Sequence, residues 1–190
     1  MPLPAVSRIT SPRLTLRPVV PSDLPDLLEV NGDPEVTRFL PYPTWQSLQD
    51  GDAWLARMQT LAAAGTGQQL VVARNSDSRV LGSLLLFRYE EASQRLEVGY
   101  VLGRQYWGQG YMREALVAAC AHAFTSMDMR RIEAEVDPAN AGSCRLLLGL
   151  GFVLEGTLRR RWVDKGVAHD THIFGYLVDD WSRTRPSPGE

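Results

Sequence analysis

The stretch Gln105-Tyr106-Trp107-Gly108-Gln109-Gly110-Tyr111-Met112 has the makings of an anion-binding loop. Gly108 and Gly110 stand one residue apart and let backbone amides approach a ligand closely. A helix starting just after them aims free N–H groups, and about half a unit of positive charge, at that ligand. A phosphate group can be held this way without a lysine. Lys165, the only lysine, lies in a distant turn, so a Gly-Lys-Ser/Thr phosphate loop is excluded. A dinucleotide fingerprint needs a third glycine at position 113, which is Arg113. Gln109, Arg104 and Arg113 are either phosphate contacts or solvated surface.

Glu97 is the best candidate for a base. It shares a strand face with Gly99 and Val101, opposite Leu96 and Val98, and Gly99 leaves room beside it. A salt-bridged strand carboxylate is the competing reading, and Glu155 is a weaker alternative base. Asn140 reads as a helix N-cap, with Ser143 in the first turn of the helix. His169 and His172 are three apart on a strand and point to opposite faces, so no metal pair is expected. His122 reads as helix surface or packing. Arg159-Arg160-Arg161 reads as a charged strand.

These residues need a scaffold. Alternation predicts strands over 13–17, 69–74, 79–89, 95–102, 131–136, 152–162 and 168–178. Helical spacing and caps predict helices over 22–31, 46–64, 111–126 and 140–150. The segment 36–44 reads as a loop carrying Phe39, Leu40 and Tyr42. The order is β-α-α-β-β-β-α-β-α-β-β, a mixed α+β class with helices packed on a sheet. Residues 1–190 form a single domain in this reading. Its ordered core spans about 12–182, with frayed ends over 1–12 and 183–190.

Composition narrows the function. The chain has 190 residues, 44% hydrophobic and 22% charged, with formal net charge −2. That balance gives no case for a nucleic-acid or membrane-surface binder. Cys120 and Cys144 sit in helix-like stretches and imply a reducing cytoplasm, not a disulfide framework. No signal peptide and no run of membrane-spanning length is expected.

The pattern Gln105-x-x-Gly108-x-Gly110 resembles the acetyl-CoA pyrophosphate loop of the GCN5-related N-acetyltransferase (GNAT) family. There the loop joins the fourth strand to the third helix, its place here. Asp137-Pro138-Ala139-Asn140-Ala141-Gly142-Ser143, with Gly149-Leu150-Gly151-Phe152 beyond it, is similar to the family's second cofactor segment. Leu96-Glu97-Val98-Gly99-Tyr100, Glu155-Gly156-Thr157-Leu158-Arg159 and Asp179-Asp180-Trp181 resemble the branch that acetylates ribosomal-protein N-termini. The resemblance covers about residues 12–182.

It implies the GNAT fold, a mostly antiparallel twisted sheet of about seven strands flanked by about four helices. It implies acetyl-CoA as cofactor, no metal, and direct transfer to a primary amine. Backbone amides of 108–112 would hold the pyrophosphate, with Gln105, Trp107, Gly108, Gln109, Gly110, Tyr111 and Met112 forming the loop. Tyr100, Val101 and Leu102 would run beside the pantetheine arm, and Asn140 would bond it. Ser143 would lie near the thiol, as donor to the leaving thiolate or as a local backbone partner. Many relatives carry a Tyr acid where this chain has Leu147, so Ser143, Tyr100, Tyr106 or solvent must supply that proton. Phe39, Leu40, Tyr42 and Trp162, with Glu97, would form the acceptor groove. Arg159–Arg161 could meet an acidic acceptor or the cofactor's 3′-phosphate. The expected acceptor is a protein or peptide N-terminal α-amine. A small-molecule amine, or a non-catalytic acyl-CoA-binding module, stays open, as does a homodimer.

Overall fold

The computed structural model describes residues 1–164 and 166–183. Lys165, read from the sequence as part of a hairpin turn, and the tail over 184–190, read as a frayed end, lie outside these residues. The strands are β1 (Ile9–Thr10), β2 (Leu14–Pro18), β3 (Gly67–Arg74), β4 (Val80–Glu90), β5 (Arg95–Leu102), β6 (Arg131–Val136), β7 (Val153–Asp164) and β8 (Val167–Leu177). The helices are α1 (Leu24–Asn31), α2 (Pro34–Thr37), α3 (Leu48–Ala63), α4 (Tyr111–Thr125), α5 (Ala141–Leu150) and α6 (Val178–Arg183). The four longer ones are α1, α3, α4 and α5.

The strands make one sheet in the order β1-β2-β3-β4-β5-β6-β8-β7. Only the β5–β6 pair is parallel. Its register runs Arg95↔Arg131, Leu96↔Ile132 and Glu97↔Glu133, then stops. Beyond Glu97 and Glu133 the two strands continue unpaired to Leu102 and Val136, opening a cleft between them. Among the described residues this split is where two neighbouring strands separate, distinct from the local register shifts within the β3–β4, β4–β5 and β7–β8 pairs.

Strand alternation sends side chains to two cores. Leu70, Leu84, Leu96 and Ile132 meet Ala115, Leu116 and Phe124 of α4 on one face. Val71 and Val80 meet Leu24 and Leu27 of α1 and Trp54 and Leu55 of α3 on the other. No helix among the described residues is long and apolar enough to cross a membrane.

Three sequence expectations need correction. The segment 1–12 is not a frayed end. Leu3, Val6 and Ile9 are buried in the α4-side core, and Leu3 N donates to Gly65 O at 2.7 Å. Gln68 secures Val6 twice, accepting from its N–H at 2.8 Å and donating to its carbonyl at 2.9 Å. The short strand β1 that results raises the strand count to eight. The loop expected over 36–44 begins inside α2, where Pro34 supplies a helical φ at the first turn and Asp33 accepts from Glu35 N–H. The last strand ends at Leu177, one residue early, because the chain turns into α6.

Candidate active site

The loop between β5 and α4 is held by its own side chains. Gly108 and Gly110 take φ of 73° and 78°, the left-handed region that glycine occupies at no steric cost. Gly110 is the N-cap of α4. The first intrahelical bond is Glu114 N to Gly110 O at 3.0 Å, so the N–H groups of Tyr111, Met112 and Arg113 have no intrahelical acceptor. Gln109 closes the loop by donating to Gln105 O at 2.7 Å. Trp107 leaves its ring half exposed and donates its indole N–H to Leu102 O at 2.8 Å.

Arg13 was not singled out in the sequence. It donates to Gln109 O at 3.1 Å, pairs with Glu114 at 2.6 Å and stacks on Tyr111 at 4.5 Å. Arg113 reaches Gly149 O at 3.4 Å, linking α4 to α5. This donor set fits a pyrophosphate: backbone N–H groups without an intrahelical acceptor at a positive helix end, with Glu114 of the first turn engaged by Arg13.

A cavity of about 1280 Å³ runs from this loop, through the β5–β6 cleft, to β7. Asn140 and Ser143 line it at the start of α5, where Asn140 Oδ1 accepts from Ser143 N–H at 3.1 Å. The Tyr100 hydroxyl and Ser143 Oγ lie 2.5 Å apart. Burial pushes the Tyr100 phenol above its usual range, so it stays protonated. Leu147 is fully buried in the α4-side core, so no titrating group takes its place.

The opposite face of β5 carries Glu97, Gly99 and Val101. Val101 packs with Val30, Val36 and Leu40. Phe39 and Leu40 line the cavity half-buried. Tyr42 lines it with its ring and donates its hydroxyl to the buried Asn31 at 2.9 Å, so the phenol braces the wall. Glu97 is 6% exposed. Burial pushes its carboxyl up to about 7, with the Arg88 guanidinium pulling the other way and Glu135 and Glu133 adding to the rise.

Arg88 Nη1 lies 2.6 Å from Glu97 Oε2 and 2.7 Å from Glu135 Oε1. Glu135 also accepts from Trp162 Nε1 at 2.7 Å. Burial works against ionisation of Glu135, but the bonds from Trp162 and Arg88 outweigh it and hold its carboxyl low. Arg88 and Glu135 were missed in the sequence. Strand alternation puts Arg88 on the far face, and only a local break in that alternation brings it here.

Most of the remaining candidates have partners of their own, and His169 is among the residues that line the cavity. Glu155 makes a two-pronged pair with Arg131 at 2.8 and 2.5 Å, which holds it ionised away from the cavity. His169 lies 3.2 Å from Asp137, and His172 bonds Thr157. Among the described residues no cluster suits a metal ion. Arg161 reaches Glu135 at 3.6 Å, while Arg160 N–H bonds Asp170. His122 sits half-buried on α4.

Comparison with known proteins agrees with this geometry. The family described as "Acetyltransferase (GNAT) domain" matches residues 13–153. The chain is 31% identical over 170 residues to "Uncharacterized N-acetyltransferase p20" of Bacillus licheniformis, covering 90% of this chain and 96% of that one. It is 27% identical over 103 residues to the "Ribosomal-protein-serine acetyltransferase" of Escherichia coli, covering 54% and 58%. A GCN5-related N-acetyltransferase from Brucella melitensis superposes with a TM-score of 0.84 at 22% identity, covering 95% of this chain and 83% of that one, and shares the fold. The free amides at the head of α4, the split between β5 and β6 and the match over 13–153 lead to one conclusion: this chain belongs to the GNAT family and is an acetyl-CoA-dependent N-acetyltransferase.

Proposed function

We propose that the acceptor is the α-amine of a protein or peptide N-terminus, with Glu97 as base and the Tyr100–Ser143 pair serving the departing thiolate. The acetyl group then lies in the β5–β6 cleft, with the two sets of residues on opposite sides of it. The observation that carries the reading is geometric: Glu97, 6% exposed, lines the cavity on the face of β5 opposite the Tyr100–Ser143 pair, and burial there pushes its carboxyl up to about 7.

A base titrating near the working pH is matched to the more acidic of the two ammonium groups. An α-ammonium loses its proton with pKa ~7.7–8, a lysine ammonium with ~10.4. At pH 7 the first loss costs about 1 kcal/mol and the second nearly 5. Glu97 takes that proton and the neutral amine attacks the thioester carbon; as the tetrahedral intermediate collapses the C–S bond breaks, coenzyme A leaves as thiolate, and the nitrogen gives its second proton to solvent. Ser143 Oγ donates to the leaving sulfur, with the Tyr100 hydroxyl as its partner. The 27% match to the ribosomal-protein-serine enzyme supports the same acceptor class.

The test is thiol release from acetyl-CoA against a panel of peptides, half with free α-amines and half blocked there with a free lysine. Turnover confined to the free α-amines is expected. Turnover of the blocked lysine peptides alone would sink the acceptor assignment. Glu97→Gln should lower kcat about 10²-fold or more with acetyl-CoA affinity by calorimetry nearly unchanged.

A further inference from the structure

We infer that Arg88 is a positioning residue for acetyl transfer, clamping Glu97 against Glu135 so that the carboxyl is held at the acceptor side of the cavity beside a cation. The inference rests on Glu97 being the base. Two independent features of the structure support it.

The first is the backbone. Leu84 and Leu86 of β4 point into the α4-side core, and Leu85 and Phe87 line the cavity on the other face. Strict alternation would return Arg88 to the α4 side. Instead the β4–β5 register breaks between Phe87 and Glu90, and Arg88 takes φ 50°. A non-glycine residue in the left-handed region is strained and needs compensation from its surroundings. Bulges of this kind re-aim a side chain. Here Phe87 and Arg88 both line the cavity.

The second is what the re-aimed side chain meets. One nitrogen, Nη1, touches Glu97 and Glu135 together, at 2.6 and 2.7 Å. Its guanidinium carbon also lies 5.6 Å from the Trp162 ring centre. Trp162 in turn is fixed to Glu135. One arginine therefore ties β4, β5, β6 and β7 together at the acceptor end.

The charges around Glu97 make the role specific. Glu133 and Glu135 face it from β6, and both oppose its ionisation. Arg95 and Arg131 are engaged by Glu133, and Arg161 reaches Glu135 and the Trp162 ring. Arg38, beyond α2, and Arg57 of α3 line the same cavity, as do Asp137, His169 and Asp170. Among the described residues Arg88 is the one cation within ion-pair distance of Glu97. Without it, Glu97 faces burial and two carboxylates uncompensated, and its proton is held more tightly.

The experiment uses the full chain with ¹³C-labelled glutamate and three variants: Arg88→Gln, Arg88→Lys and Glu97→Gln. The Glu97 carboxyl resonance, identified by its loss in Glu97→Gln, is titrated directly and needs no acceptor. In Arg88→Gln its midpoint should rise by about one pH unit or more. Arg88→Lys should restore much of the original midpoint. With acetyl-CoA and the best peptide of the α-amine panel, the acid limb of kcat/KM should move up with the resonance, and the rate should recover at alkaline pH. A merely structural Arg88 would lower the rate equally at all pH and leave the midpoint unmoved, and that result overturns the inference. An acid limb that survives in Glu97→Gln would instead remove Glu97 as base, a separate failure.

Discussion

Ser143 and Tyr100 meet from different elements, and neither would be well placed alone. Asn140 caps α5 through Ser143 N–H, which fixes where the Ser143 hydroxyl starts. Tyr100 enters from β5 and ends 2.5 Å from that hydroxyl. A serine is a poor acid in water, but a buried phenol beside it can relay a proton or stabilise the oxygen as it donates. Ser143→Ala should therefore lower kcat about 10²-fold, with little change in acetyl-CoA affinity. Tyr100→Phe should cost less, because Ser143 Oγ stays in place. Additive losses in the double variant would show that the two hydroxyls act separately; a double variant no worse than Ser143→Ala would show one unit. Equal rates in Ser143→Ala and the parent would leave solvent as the proton source.

At the scale of elements, N-terminal residues set stability as well as β1. Leu3, Val6 and Ile9 bury side chains worth roughly 1.5–3 kcal/mol each when fully covered. Deleting residues 1–10 should lower the thermal midpoint by several degrees or more; an unchanged midpoint would mean that this strap contributes nothing to the core. The strap was illegible because Met1-Pro2-Leu3-Pro4 breaks periodicity, and its apolar residues are too sparse to read as an element. Strands such as Arg95–Leu102 were legible because one face alternates cleanly. The glycine loop was legible because positive φ leaves a mark in residue type. The bulges at Arg88 and Arg160 were not, since both put arginine at φ 50° where sequence suggests plain extended chain. That is also why Arg88 was missed while Glu97 was found; Glu135 sits on a regular strand and is marked only by its bonds to Arg88 and Trp162. Pairing partners, not spacing, bring them together.

Across the whole molecule, the raised Glu97 carboxyl links the site to folding stability. Its ordinary value is 4.5, and burial pushes it up to about 7 in the fold. Between those values the folded state holds a proton that the unfolded state has released. Stability from this group is therefore present below pH 4.5, falls as pH rises through 7, and is flat above. Over that range the loss is on the order of 3 to 4 kcal/mol, at about 1.4 kcal/mol per pH unit. Glu114, Glu135 and Glu155 are held below their ordinary values and behave oppositely, gaining stability as pH rises through the acid range. Glu114 and Glu155 lie outside the Glu97 cluster, so their contributions cancel when two variants are compared at the same pH, while Glu135, coupled to Glu97 through Arg88, is held ionised across pH 5 to 8. Glutamine at position 97 carries no charge at any pH, so over pH 5 to 8 Glu97→Gln removes the Glu97 linkage together with its coupling to Glu135. Urea unfolding of the parent and Glu97→Gln at pH 5 and pH 8 isolates it. The variant should gain on the parent between pH 5 and pH 8. The same difference at both pH values would mean that Glu97 titrates near its ordinary value in the fold, and the proton-accepting role would lose its physical basis.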